Sequence, residues 1–535
     1  MSAATNLSPA PVLTEAPPVA SPIRDHAAEF RGRMGRISRQ SAVYFAGTIL
    51  TTAAGYFFRV YLARTLGAEA LGLYALGMSI VGLLSLFNAF GLPSAAARFI
   101  AEYSGKGEYA RIGSFLRGSL GLLAGANVLL GFLMLAGGPW LAVHFYHSPK
   151  LAAYFWPFTL IMVIGVFTTF LGQVMAGYQD VARRTLVTHF IGTPFNMLLS
   201  VGLITLGFGL AGYLTAQVIS AVVVLALLAV FVWKLTPAQA RQLNGCASLE
   251  RRVASFSAAA FSIAGVEFVL GQADKIILGY YLTAAQVGIY AVAMALVGFV
   301  PVALQSVNQI FSPSIAELHA SGNHELLQRL YSTLTKWILA LTVPLGFTIM
   351  IFARPLMGIF GGAFEAGTAV LIVGTVGQLI NCAVGSVGYL LLMSGHQNQI
   401  VRIQAVNAGL MIVLSVVLVE RFGIMGVAAA SAIAVAVTNL WSLTAVYRRM
   451  KLFPYNFSYL KLLFPGGLSL VMLILLRSLS GHSSWLTAIS GLALAYVVFF
   501  GTFLMFGLEI EDRSLANAVW GGIGLNSRKI GVRFL

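Results

Sequence analysis

Apolar stretches of about 20 residues, separated by short polar segments, succeed one another from near residue 41 to residue 507. Each is long enough for a helix to cross a hydrocarbon core of about 30 Å. A barrel strand would need about half that length and would alternate in polarity at every residue. The pattern therefore predicts an all-α integral membrane protein with about 14 transmembrane helices. The expected spans are 41–62, 71–93, 117–137, 152–175, 187–207, 211–233, 255–281, 288–311, 334–353, 367–392, 402–420, 424–446, 460–479 and 485–507. Ahead of them, residues 1 to about 23 are rich in Pro, Ala and Ser and read as a disordered tail. The segment HAAEFRGRMGRISR follows. Its Phe30, Met34 and Ile37 fall at helical spacing while Arg31, Arg33 and Arg36 cover other faces, the pattern of a basic interfacial helix, or equally of a solvated basic linker.

The pattern also repeats. A shift of 216 residues places Arg59 on Lys275, Gly72 on Gly288, Tyr74 on Tyr290 and Gly82 on Gly298, so that LGLYALGMSIVG faces VGIYAVAMALVG. Further along, AEYSGKGE meets AELHASGNHE, GYQD meets GHQN and FGLAG meets FGIMG. The chain reads as a duplicated six-helix unit: an N-lobe at 41–233, a linker at 234–254, a C-lobe at 255–446, two extra helices within 460–507 and a tail at 508–535. Six crossings return the chain to its starting side, so the two lobes form a parallel repeat about an axis along the membrane normal, with a central cavity between them.

Composition agrees: 58% of residues are hydrophobic, 9% are charged and the mean hydropathy is +0.86. The formal charge of +16 needs no nucleic acid to explain it, because the basic residues gather in alternate loops. Of the 33 Lys and Arg residues, only Arg59, Arg64, Lys150, Lys275, Arg354, Arg421 and Arg477 fall on the other side or in the outer halves of spans. That bias places both termini in the cytoplasm of a multi-pass protein of the cell (inner) membrane. Cys246 and Cys382 lie in unlike surroundings and imply no disulfide framework.

The fourteen-span pattern, the duplication, GLPSAAARFIAEYSGKGE after the second span and ADKIILGYYLTAAQVGIYAVA across the seventh and eighth carry a resemblance. From about residue 36 to 510 the chain resembles the polysaccharide-transporter (Wzx-type flippase) branch of the multidrug/oligosaccharidyl-lipid/polysaccharide superfamily. The resemblance implies two lobes opening alternately around a cationic cavity. It also implies a polyprenyl-diphosphate-linked oligosaccharide as cargo, moved from the cytoplasmic to the outer leaflet for surface polysaccharide assembly. No cofactor is implied. A coupling ion, H+ or Na+, and a partner polysaccharide polymerase or glycosyltransferase would fit the same scheme. Two alternatives stay open at this point: a cation-coupled multidrug exporter of the same architecture, and a non-transporting scaffold for polysaccharide assembly.

Charges inside apolar spans cost at least about 2.5–3.5 kcal/mol each and so point to a cavity or a bundle interior. In VEFVLGQADKIILGYYL, Glu267, Gly271 and Asp274 share one helical stripe and Lys275 lies about a quarter-turn aside. Glu267 and Asp274 are the candidate coupling or gating carboxylates. Lys275 and its repeat mate Arg59 are the candidate diphosphate partners. Arg98, in ARFIAE at the inner end of the second span, is either a further phosphate contact or a topology anchor. Amides within spans, among them Asn88, Gln305, Asn308, Gln378 and Asn381, suit sugar hydroxyls, or hold helices together. Pro301 and Pro344 are expected to bend their spans, and a lipid cargo calls for a lateral opening between the first and seventh or the second and eighth spans. Enzymatic readings find little support: the outer loops are short, no GxxxxGK[ST] occurs, and His144 and His147 have no further metal ligand near them in sequence.

Overall fold

The computed structural model describes residues 22–241, 250–480, 484–507 and 512, with 22–53 described by their helical backbone alone. The expected tail 1–21, Cys246 and most of the C-terminal tail lie outside the described residues, as do the side chains of the basic segment. Every regular element among the described residues is helical. In chain order these are α1 (Pro22–Ala89), α2 (Leu92–Lys106), α3 (Tyr109–His144), α4 (Phe155–Gly177), α5 (Val181–Leu235), α6 (Arg251–Tyr281) and α7 (Ala284–Val297). Then follow α8 (Val302–Ala320), α9 (His324–Ile351), α10 (Thr368–Val384), α11 (Val387–Met393), α12 (Gln397–Met450), α13 (Leu460–Leu479) and α14 (Trp485–Met505), with short helical turns among the connections.

Among the described residues ten helices are long and apolar enough to cross a membrane, or eleven when α7 and α8, bent by 51° at their junction, count as one span. Pro301 sits at that bend and caps α8. Three of the ten are pairs of helices joined across non-helical glycines: Gly67 in α1, Gly207 and Gly209 in α5, and Gly423 in α12. These breaks fall where the polarity pattern ends one expected span and begins the next. Fourteen crossings follow only if each kinked helix is counted as two and the bent pair as one. Gly209 (φ 51°, ψ −132°) and Gly423 (φ 55°, ψ −136°) stand at matching places in FGLAG and FGIMG and share one backbone conformation that side chains resist. At this pair of positions the sequence match extends to the backbone. Polar caps set other boundaries. Asp180 and Asn323 accept backbone N–H groups at helix starts, and Thr283 and Gln286 form a reciprocal capping box at the start of α7.

The cores show how the lobes relate. Leu76 and Phe158 of the N-lobe and Tyr290, Phe364 and Val427 of the C-lobe belong to one contiguous cluster. Toward the basic loops the packing divides, with Phe99, Phe170 and Leu228 in one cluster and Phe311, Tyr331 and Leu443 in another. The lobes are joined at one end and separately packed at the other. Helix α6 spans the seam: Val253 near its start packs with the N-lobe cluster, while Ala273 packs against Met411 and Ala434 of α12. Helices α13 and α14 lie against α9 through Ala340, Phe352, Leu473 and Phe499.

In a bilayer, apolar burial supplies little drive between helices, so close backbone approach matters more. The tightest approach between lobes is the crossing of α1 and α7. A Cβ on Gly72 would lie 1.6 Å from the Ala284 carbonyl oxygen, and one on Gly288 would lie 2.1 Å from that of Ala68. The shift that relates Gly72 to Gly288 also relates Ala68 to Ala284, so each lobe offers the other the same surface. Arg64 adds a bond across the seam, donating from Nε to the Ile359 carbonyl at 2.7 Å. The expected second and eighth spans are thus shut against each other at the end away from the basic loops.

Candidate functional site

Below this crossing lies a cavity of about 490 Å³ walled by both lobes. The N-lobe contributes Tyr56, Arg59, Tyr74 and Tyr213, and the C-lobe Gln272, Lys275 and Phe360. Arg59 and Lys275, paired by the repeat, therefore face one shared space. Lys275 Nζ donates to the Gly271 carbonyl at 3.0 Å and to Gln272 Oε1 at 2.9 Å, and lies 3.8 Å from Asp274 Oδ1. Arg59 is exposed to the cavity and makes no hydrogen bond or ion pair among the described residues. A planar guanidinium and a compact ammonium on opposing walls can grip an oxyanion in complementary ways, the first through a fork of donors and the second as a point charge.

A second cavity, about 730 Å³, lies within the C-lobe and is lined by Asp274, Gln305, Asn308, Gln378, Asn381, Gln404, Asn407, Thr438 and Asn439. Lys275 borders both cavities. Asn381 donates to Gln378 at 3.0 Å, whereas the buried Asn308 Oδ1 has no hydrogen-bond partner among the described residues. The fully buried Tyr290 hydroxyl lies beside Asp274. Gln404, Asn407, Thr438 and Asn439 were not singled out from the sequence. Like Gln378 and Asn381 they are polar side chains within apolar runs, and Gln404 and Asn407 are amides three residues apart on one helix face.

The remaining candidates lie elsewhere. Glu267, one turn before Gly271, is exposed and lines neither cavity. Asn88 is fully buried and donates its amide to Asn127 Oδ1, which ties α1 to α3. Arg98 stacks over the Phe256 ring of α6 at 4.7 Å and so joins α2 to α6 at the basic end.

A protein-family model for polysaccharide biosynthesis proteins matches residues 37–319, more than half of the chain. The chain belongs to this family. It is 22% identical over 408 residues to the probable low-salt glycan biosynthesis flippase Agl15 of Haloferax volcanii, covering 76% of this chain and 82% of that one. Its fold is similar to that of the lipid II flippase MurJ in an inward closed conformation, with TM-score 0.67, 14% identity, and 87% and 99% of the two chains covered. It is also similar to an inward-facing multidrug resistance transporter of the MATE family in the MOP superfamily, with TM-score 0.64, 16% identity, and 74% and 94% covered. Two of these relatives are named as flippases and one as a transporter; this polysaccharide biosynthesis family member is a multi-pass membrane protein.

The basic end of this family member carries a clasp between the lobes. Arg252 grips Glu102 through both carboxylate oxygens, at 2.8 and 3.1 Å, and Lys106 reaches the same carboxylate at 2.8 Å. Arg111 lies 3.4 Å from Glu250, which also accepts from the Tyr103 hydroxyl at 3.2 Å. Hydrogen bonds from Lys106 and then Arg252 hold the Glu102 carboxyl down at about 2. The start of α6 is thus pinned to α2, and farther along α6 meets both lobes, Phe261 packing on Phe87 of α1 and Ala273 against α12.

Proposed function

We propose that this transporter carries a polyprenyl-diphosphate-linked oligosaccharide from the cytoplasmic to the outer leaflet of the cell membrane by alternating access. The observation that carries the reading is the meeting of Arg59 and Lys275 across one cavity between the lobes. A diphosphate offers several anionic oxygens to both cations at once, while the adjoining amide cavity offers sugar hydroxyls uncharged partners. The positive-inside bias assigns the basic end, where the cores divide, to the cytoplasm. Cargo then reaches the cavity from that side while the Gly72–Gly288 crossing keeps the far side shut.

Asp274 is the coupling carboxylate in this reading. It lines the amide cavity, and its neighbour Lys275 borders both spaces, so a proton or Na+ taken up at Asp274 alters the charge that the cargo meets. Glu267 has no part in this scheme.

The test is transbilayer movement of a polyprenyl-diphosphate oligosaccharide in proteoliposomes. Wild type should move it. Arg59→Ala combined with Lys275→Ala should lower the rate by at least about a hundredfold, as expected for two charge-assisted contacts of roughly 1.5–3 kcal/mol each. Movement retained by the double variant would discard the two cations, and no movement by folded wild type across several glycans would discard the cargo.

A further inference from the structure

A third cavity, about 460 Å³, opens at the end of the molecule opposite the basic loops. Its N-lobe wall is Glu69 with the turn from Tyr146 to Lys150, and its C-lobe wall is Tyr280, Tyr281 and Gln286. We propose that this pocket is a saccharide-binding site, separate from the central cavity. A pyranose ring has apolar C–H faces that pack on aromatic rings and a rim of hydroxyls that need donors and acceptors, and the pocket supplies both.

The aromatic part is built and held. Tyr280 and Tyr281 are 44% and 36% exposed, and their rings meet at 4.9 Å and 81°, so two ring faces stand nearly at right angles. Phe145 at 5.0 Å and His147 at 6.1 Å pack against Tyr280 from the N-lobe side. Rings fixed in this way bind at little cost in side-chain entropy. Tyrosines at a membrane interface commonly face the headgroups; here they border a concave pocket with a charged rim instead.

The polar part is electrically balanced. Lys150 Nζ bonds Glu69 Oε1 at 2.8 Å, which leaves the second carboxylate oxygen and further ammonium hydrogens for a ligand. Gln286 spends its Oε1 on the Thr283 cap, so its amide hydrogens are free to donate. A cation–anion pair with net charge near zero selects a neutral polyol over a free ion. Beside the pocket runs an apolar groove of about 320 Å³, lined by Ile80, Leu83, Leu133, Trp140 and Ile276, and Tyr146 borders both. A saccharide carried on an aliphatic chain can therefore fill the pocket while its chain lies in the groove. Because both lobes wall the pocket, its ligand also favours the state in which this end is shut. None of this requires the central cavity to be the path of the cargo.

The experiment uses the full-length protein in phospholipid nanodiscs and diazirine-bearing trisaccharides of glucose, galactose and N-acetylglucosamine, each free or on a dodecyl chain. Cross-linked peptides are located by mass spectrometry. The expected result is labelling within 145–150 or 280–286 that excess unlabelled trisaccharide displaces. It should fall roughly tenfold or more in Tyr280→Ala with Tyr281→Ala, a loss on the scale of removing two aromatic contacts, and persist in Tyr280→Phe with Tyr281→Phe. Should the alanine pair fail to fold, Glu69→Ala with Lys150→Ala gives the same reading from exposed rim positions. Stronger labelling by the dodecyl glycosides identifies a lipid-borne saccharide as the ligand, and equal labelling a free one. The proposal is overturned if no trisaccharide labels these segments, if label appears only in the apolar groove or the central cavity, or if folded variants label as wild type does.

Discussion

The two lobes repeat one sequence pattern in several spans and loops, yet their interiors differ. In the C-lobe Asp274 stands beside Tyr290 and borders an amide-lined cavity. The same shift that pairs Tyr290 with Tyr74 puts Phe58 at the place of Asp274. Phe58 packs against Tyr61 and Tyr213 at 6.2 and 6.1 Å, and the Tyr74 hydroxyl accepts a bond from Gln217 at 2.9 Å. The N-lobe thus has a cation, Arg59, at the matching place but an aromatic cluster where the C-lobe has a carboxylate. At this pair of matching positions only the C-lobe carries a carboxylate.

The hardest way to break this contrast is Phe58→Asp. It removes ring packing and puts a carboxylate among aromatic rings, and should destabilise the protein by about 3 kcal/mol, read as loss of folded protein and a lower melting temperature. An unchanged melting temperature would mean that the N-lobe accommodates a carboxylate as readily as its partner. The crossing that holds the lobes together comes next. Gly288→Val should cost the shut state about 1–3 kcal/mol and lengthen spin-label distances between the outer ends of α1 and α7; an unchanged distance distribution would remove this contact from the gating scheme. Asp274→Asn should slow transport by about tenfold, within the usual range of coupling energies, and flatten its pH dependence. A profile identical to wild type would end the coupling role.

The smallest effect is expected at the clasp. The Glu102 carboxyl is held down at about 2, below the ordinary carboxylate range. Its contribution is therefore complete above the unfolded value near 4.5 and fades as the pH falls toward about 2. Wild type and Glu102→Gln should differ by a constant small amount in melting temperature from pH 5 to 8, and converge as the pH drops below about 4.5. A difference that grows on acidification would contradict the assigned sign.

Much of this was readable in advance because it depends on length and period. Apolar runs gave the helices, and the 216-residue shift paired Arg59 with Lys275 before any cavity was visible. What escaped depends on helix rotation and on partners far apart in sequence. Asn88 looked available for sugar, but its partner Asn127 is contributed by another helix and takes up its amide. Glu267 shares the stripe of Gly271 and Asp274, yet a stripe does not say how far along a helix a cavity extends. Lys336, within α9, is buried and bonds Asp512 at 2.7 Å across 176 residues. Periodicity carries no signal for such a pair, although the acids Glu509, Glu511 and Asp512 just past the last apolar run are a hint.

The meeting of Gly72 with Ala284 and of Gly288 with Ala68 has one more consequence. It has the form of an isologous dimer interface, in which one surface patch is complementary to a rotated copy of itself. A half-length chain bearing a single such patch would satisfy both sides by pairing with its twin. The seam between the lobes can thus be understood as a homodimer contact that a later fusion made permanent, leaving each half free to diverge while the patch itself still had to match.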